Sequence, residues 1–177
     1  MTNTAARTSV LVAGIGNIFH GDDAFGSEVA RRLLPMSWPE GVNVVDFGIR
    51  GIDLTYALLD EPDVAILIDA MPQNSQPGAL CVIEPDVEET SHADGEAALL
   101  DAHSLNPVAV LRQVKAMGGR WPRILLVGCE PAELGGDDGS MDLSPPVRAA
   151  VEEAVELVKE LVAKVLEGRC ERRSSTD

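Results

Sequence analysis

The segment VLVAGIGNIFHGDDAFGSEVARRLL, residues 10–34, constrains the fold more than any other stretch of the chain. An apolar run gives way to a glycine turn, two adjacent acids, and then apolar residues at helical spacing. That order reads as strand, turn and helix. Such turns commonly cradle a phosphate, but here the side chains carry the wrong charge for it. Gly16 and Gly21 have P-loop spacing, yet the Lys and the Ser or Thr that should follow are Asp22 and Asp23. The dinucleotide fingerprint fails as well, because Phe19 stands where its third glycine belongs. The turn suits a metal or a polarised substrate. A doubly wound nucleotide or phosphate binder is the weaker reading.

Strand-like runs recur at 42–47, 63–69, 79–84 and 123–129, after a first at 8–14. Helical patterns fall between and after them, at 24–35, 52–60, 105–117 and 146–167. Alternation of this kind predicts an α/β sheet with helices on both faces. The last helix is the best defined. Val151, Val155, Val158, Val162 and Val165 form one apolar stripe, Ser144 can cap its start, Pro145 suits its first turn and Gly168 its stop. One connection departs from simple winding. Only nine residues, MPQNSQPGA, separate Asp69 from the fourth run, whereas a parallel crossover needs about a dozen or more. The fourth strand is therefore expected to run antiparallel. Residues 8–168 are expected to form one domain, with polar tails at 1–7 and 169–177 disordered and a long acidic loop at 85–103.

Composition excludes several classes. The net charge of −15 disfavours nucleic acid and anionic membrane surfaces. No apolar run approaches the roughly 20 residues of a membrane span, and the polar first residues do not form a secretory signal, so a cytoplasmic location is expected. Cys81, Cys129 and Cys170 fit neither a disulfide framework nor a zinc pattern, and the first two read as small core residues. The H-E-x-x-H and G-x-S-x-G arrangements are both missing, which removes the common zinc-peptidase and serine-hydrolase layouts.

The candidate chemistry lies in acids. Asp22 and Asp23 open a helix, where one of them suits capping. Asp69 ends VAILIDA, the most apolar strand, at the edge where open α/β sheets bind ligands. If the first and third strands are neighbours, Asp23 and Asp69 share one rim. His103 follows the acidic loop and precedes the third helix. Two carboxylates and one imidazole would leave open positions on zinc, nickel, manganese or iron.

Taken in order, GIGNIFHGDDAFG, GIRGIDL, AILIDA, His103-Ser104-Leu105 and LLVGCEP resemble the hydrogenase maturation endopeptidases, over about residues 9–166. The resemblance implies a three-layer α/β/α sandwich with a five-stranded mixed sheet and one antiparallel strand. It implies removal of a C-terminal extension from the precursor of a nickel–iron hydrogenase large subunit after nickel insertion. The family's metal-contacting residues carry over to Asp23, Asp69 and His103. Nickel would arrive in the substrate, with zinc or another divalent metal possible in isolation. Many members have Glu at the position of Asp23, and many have Asp-Gly-Gly where this chain has Asp46-Phe47-Gly48. Asn17, Asp22, Gly48, Arg50 and Gly51 are the expected substrate contacts, with Arg50 gripping backbone or a carboxylate. A nickel-binding accessory protein of hydrogenase assembly, without proteolysis, is the alternative.

Overall fold

The structure, a computed structural model, describes residues 8–85, 107–134 and 141–168. Its sheet has five strands: β1 (Val10–Ile15), β2 (Val42–Gly48), β3 (Val64–Ala70), β4 (Leu80–Ile83) and β5 (Arg123–Cys129). The spatial order is β2-β1-β3-β5-β4, and among the described strand pairs only β4–β5 is antiparallel. The nine-residue link after β3 thus does what its length dictates. It turns the chain back along the sheet edge instead of crossing over a face.

The helices are α1 (Phe25–Leu33), α2 (Gly51–Leu59), α3 (Pro107–Ala116) and α4 (Pro145–Leu166), with a 3-10 turn at Asp22–Ala24 leading into α1. The central strand β3 is apolar without alternation because both of its faces are covered. Successive side chains on β1 and β3 therefore enter different cores. Val10, Val12, Ile66 and Ile68 pack with Phe25, Val29 and the α4 valines. Leu11, Ala13, Ala65 and Leu67 pack with Leu54, Leu58 and Val114. The result is a three-layer α/β/α sandwich with α1 and α4 on one face and α2 and α3 on the other. All five stripe valines of α4 are buried. Among the described residues, no helix is long and apolar enough to cross a membrane.

Two details place the site. Gly26, in the first turn of α1, lies so close to the sheet that a Cβ would sit 2.0 Å from the Ile68 carbonyl oxygen and 2.2 Å from that of Ile15. Only glycine permits this approach, which sets the start of α1 directly above the ends of β1 and β3. Ser144 departs from expectation. Its side chain makes no capping bond to α4, because its hydroxyl is drawn to Asp22 instead.

Candidate active site at the carboxyl edge of the sheet

Leaving β1, the chain turns at Gly16, whose φ of 147° and the 1.9 Å separation between a Cβ and the Asp23 carbonyl oxygen exclude other residues. The turn then closes on itself. His20 N–H donates to Asn17 O, Asp23 N–H to His20 O, and Ala24 N–H to Gly21 O. Asn17 organises this loop: its backbone N–H donates to Asp23 Oδ2 at 3.1 Å, and its side-chain oxygen accepts from Phe19 N–H at 3.0 Å.

Asp69, next to last in β3, points from the same rim. Burial first, and then the negative charge of Asp23, hold its carboxyl well above the usual carboxylate range, opposed by a hydrogen bond from Ala70 N–H at 2.8 Å. Some of the residue stays open to solvent, but the carboxyl itself is closely surrounded by protein. The expected juxtaposition therefore exists: β1 and β3 are hydrogen-bonded neighbours, and the two acids feel each other's charge. A pair of carboxylates held together against repulsion is an arrangement that a cation relieves. In β5 the residue paired with Asp69 is Gly128. The space a side chain would fill there is taken by the sulfurs of Cys81 and Met71.

Asp22 takes a different part from that of a substrate contact. It is 2% exposed, and both its oxygens are occupied by distant donors. Ser144 N–H donates to Oδ1 at 2.7 Å. Ala132 N–H and the Ser144 hydroxyl donate to Oδ2, each at 2.8 Å, and Glu133 N–H does so at 3.3 Å. Asp22 thus ties Ser144, the residue just before α4, and the loop after β5 to the turn that leads into α1. The two adjacent acids are separated by function: Asp23 faces the rim and Asp22 fastens the loop after β5.

Glu130 was not singled out from the sequence. It is 9% exposed, its Oε2 accepts from Gln73 N–H at 2.6 Å, and its backbone closes on Gly78 and Ala79. The carboxylate thereby anchors the segment leaving Asp69. The signal was available, since Glu130 directly follows an apolar strand, as Asp69 ends one. Asp46 at the end of β2 is also engaged, accepting from the Ser27 hydroxyl at 2.7 Å and Gly48 N–H at 3.1 Å, with Arg31 Nε 3.4 Å away.

Gly48 joins the two loops at the rim, its carbonyl accepting from Gly16 N–H at 3.0 Å. Gly51 opens α2. Arg50 is turned toward its own loop: its guanidinium donates to the carbonyls of Asp46 and Phe47 and lies 3.3 Å from Asp53 Oδ2. Cys129 is fully buried, and burial followed by the charges of Asp22, Cys81 and Glu130 pushes its thiol up to about 12, so it is no nucleophile. His103, Ser104, Cys170, most of the acidic loop and both tails lie outside the described residues. Among the described residues no group of three metal-ligating side chains occurs.

The comparisons with known proteins agree with this architecture. A family model described as hydrogenase maturation protease matches residues 27–161. A putative hydrogenase maturation protease of Methanocaldococcus jannaschii is 32% identical over 154 residues, covering 86% of this chain and 95% of that protein. The hydrogenase expression/formation protein HupM of Azotobacter chroococcum is 34% identical, covering 91% and 75%. Among solved structures, a hydrogenase 2 maturation peptidase from a Thaumarchaeota archaeon superposes with a TM-score of 0.65 at 34% identity, covering 88% of this chain and 98% of that one. The hydrogenase maturating endopeptidase HybD of E. coli gives 0.70 at 25% identity, covering 89% and 93%. With a family model over most of its length and relatives more than 30% identical, the chain belongs to the hydrogenase maturation protease family.

Proposed function

We propose that this chain removes the C-terminal extension from the precursor of a nickel–iron hydrogenase large subunit, in the cytoplasm and after nickel has been inserted. Asp23 and Asp69, joined by His103, contact the nickel that the substrate carries. The reading is carried by the family match together with the placement of Asp69 at the end of β3, beside β1 and near enough to Asp23 to feel its charge. Alone, the Asp69 carboxyl holds its proton to higher pH than an ordinary aspartate. Beside a divalent cation the same carboxyl gives up that proton and becomes a ligand, so docking of a metal-loaded precursor is favoured over docking of an empty one. Asn17 N–H keeps Asp23 aimed at the rim, while Asp22 and Glu130 hold the loops on either side. The substrate's metal supplies Lewis acidity. Water adds to the scissile carbonyl carbon, the C–N bond breaks, and the products are a shortened subunit and a free peptide amine.

The test is to incubate purified enzyme with precursor, nickel-loaded or metal-free, and follow subunit mass. The loaded precursor alone should lose its extension, and Asp23→Asn, Asp69→Asn and His103→Ala should abolish the loss. Equal cutting of metal-free precursor would remove the checkpoint. An unchanged mass with nickel retained by the enzyme would favour the accessory-protein reading.

A further inference from the structure

The rim carries an apolar surface that the core does not explain. Ten large hydrophobic side chains of the described residues are exposed, and four of them follow the carboxyl ends of β1 and β2: Phe19 and Ile49 in the loops there, and Ile52 and Tyr56 on α2. Phe19 and Ile49 line a groove of about 240 Å³ whose floor includes Gly16 and Asn17, the residues that shape the Asp23 turn. From Ile49 the surface continues along α2, where Ile52 and Tyr56 follow at spacings of three and four residues and so share one helix face. Each of these four side chains is more than half exposed. Such clustering differs from the scattered surface hydrophobics that any protein shows.

Charge narrows what this surface fits. The chain carries −15 overall, but the ionic groups at the groove are matched. Arg31 pairs with Asp46 and Arg50 with Asp53, and Asp46 is further satisfied by Ser27 and Gly48. Neither a cationic nor an anionic ligand gains an unpaired partner there. The groove shares Gly16 and Asn17 with the turn that holds Asp23, so an occupant lies against the loop that positions that acid.

Resting on the reading of this chain as a precursor-processing protease, we propose that Phe19, Ile49, Ile52 and Tyr56 dock an uncharged, apolar stretch of the precursor polypeptide beside Asp23. The acid pair reads the metal, and this surface reads the protein that carries it. Hydrophobic anchors near a site of chemistry contribute binding that is equal in ground and transition states, so their loss raises KM and leaves kcat in place.

The experiment compares Ile49→Ser and Ile52→Glu with Met117→Glu, an exposed site just past α3 and away from the rim. Steady-state cleavage of nickel-loaded precursor is measured with thermal melting and light scattering on each protein. The two rim variants should raise KM about tenfold or more, with kcat and Tm held and Met117→Glu indistinguishable from wild type. An unchanged KM, or an equal rise in Met117→Glu, overturns the docking surface. So does a wild-type dimer that the rim variants split, which would make a second copy the occupant. If wild-type enzyme leaves the loaded precursor's mass unchanged, the processing reading itself falls and takes this inference with it. Cleavage by the wild type with rim variants behaving alike removes only the surface.

Discussion

Replacing Asp22 with Asn separates fastening from chemistry. The carboxylate receives four hydrogen bonds, three of them from backbone N–H groups of Ala132, Glu133 and Ser144. An amide has one acceptor oxygen. If that oxygen keeps Ser144 N–H, the amide nitrogen turns its hydrogens toward the N–H groups of Ala132 and Glu133, which lose their acceptor, and only the Ser144 hydroxyl can turn to accept. Hydrogen bonds to a charged group contribute about 1.5–3 kcal/mol each, and breaking a buried charged network costs about 3–5 kcal/mol, so the loss should fall in the latter range. For a chain of 177 residues, at roughly 2–4 °C per kcal/mol, Tm should drop by about 6–20 °C. Differential scanning calorimetry reads this directly. Precursor processing at a temperature where the variant is folded should stay near wild type. A fall in Tm below about 2 °C would refute the fastening argument. If it came with a loss of cleavage of about 100-fold or more, Asp22 would be a proton acceptor in the reaction and not an anchor.

Asp69→Asn tests the frustrated acid pair. Because the folded-state carboxyl is raised, the native chain binds its proton more tightly than the unfolded chain, whose pKa is about 3.9. The contribution is therefore most favourable below that value and declines as pH rises toward the folded-state pKa. Asp69→Asn should melt higher than wild type at pH 7, with a flatter Tm-against-pH curve and no processing. Parallel curves for the two proteins would contradict it. Cys129, buried and with its thiol pushed up to about 12, should resist iodoacetamide in the native protein at pH 8 while half-buried Cys81 reacts. Peptide mapping by mass spectrometry distinguishes them, and native labelling of Cys129 would show that strand β5 opens.

Local pattern determined a great deal of this protein. The apolar run of β3, the valine stripe of α4 and the nine-residue return to β4 each depend on interactions within one element or across one short link, and they are legible for that reason. The acid at the tip of β3 was legible too, because strand direction places its carboxyl end at the ligand-binding edge. Glu130 meets the same criterion, yet an acid after a strand reads as an ordinary turn residue until its partner Gln73, 57 residues earlier, is in view. Asp22 and Asp23 are chemically identical neighbours, and nothing within ten residues assigns one to the rim and the other to the interior. That choice is made by Ala132, Glu133 and Ser144, whose N–H groups lie 110–122 residues away in sequence. Arg50 illustrates the same limit, as its guanidinium satisfies the carbonyls and the carboxylate of its own loop. Periodicity encodes which face a residue occupies, because burial depends on a whole stripe. Which polar atom meets which depends on single distances, and only the assembled sheet brings those donors and acceptors within reach.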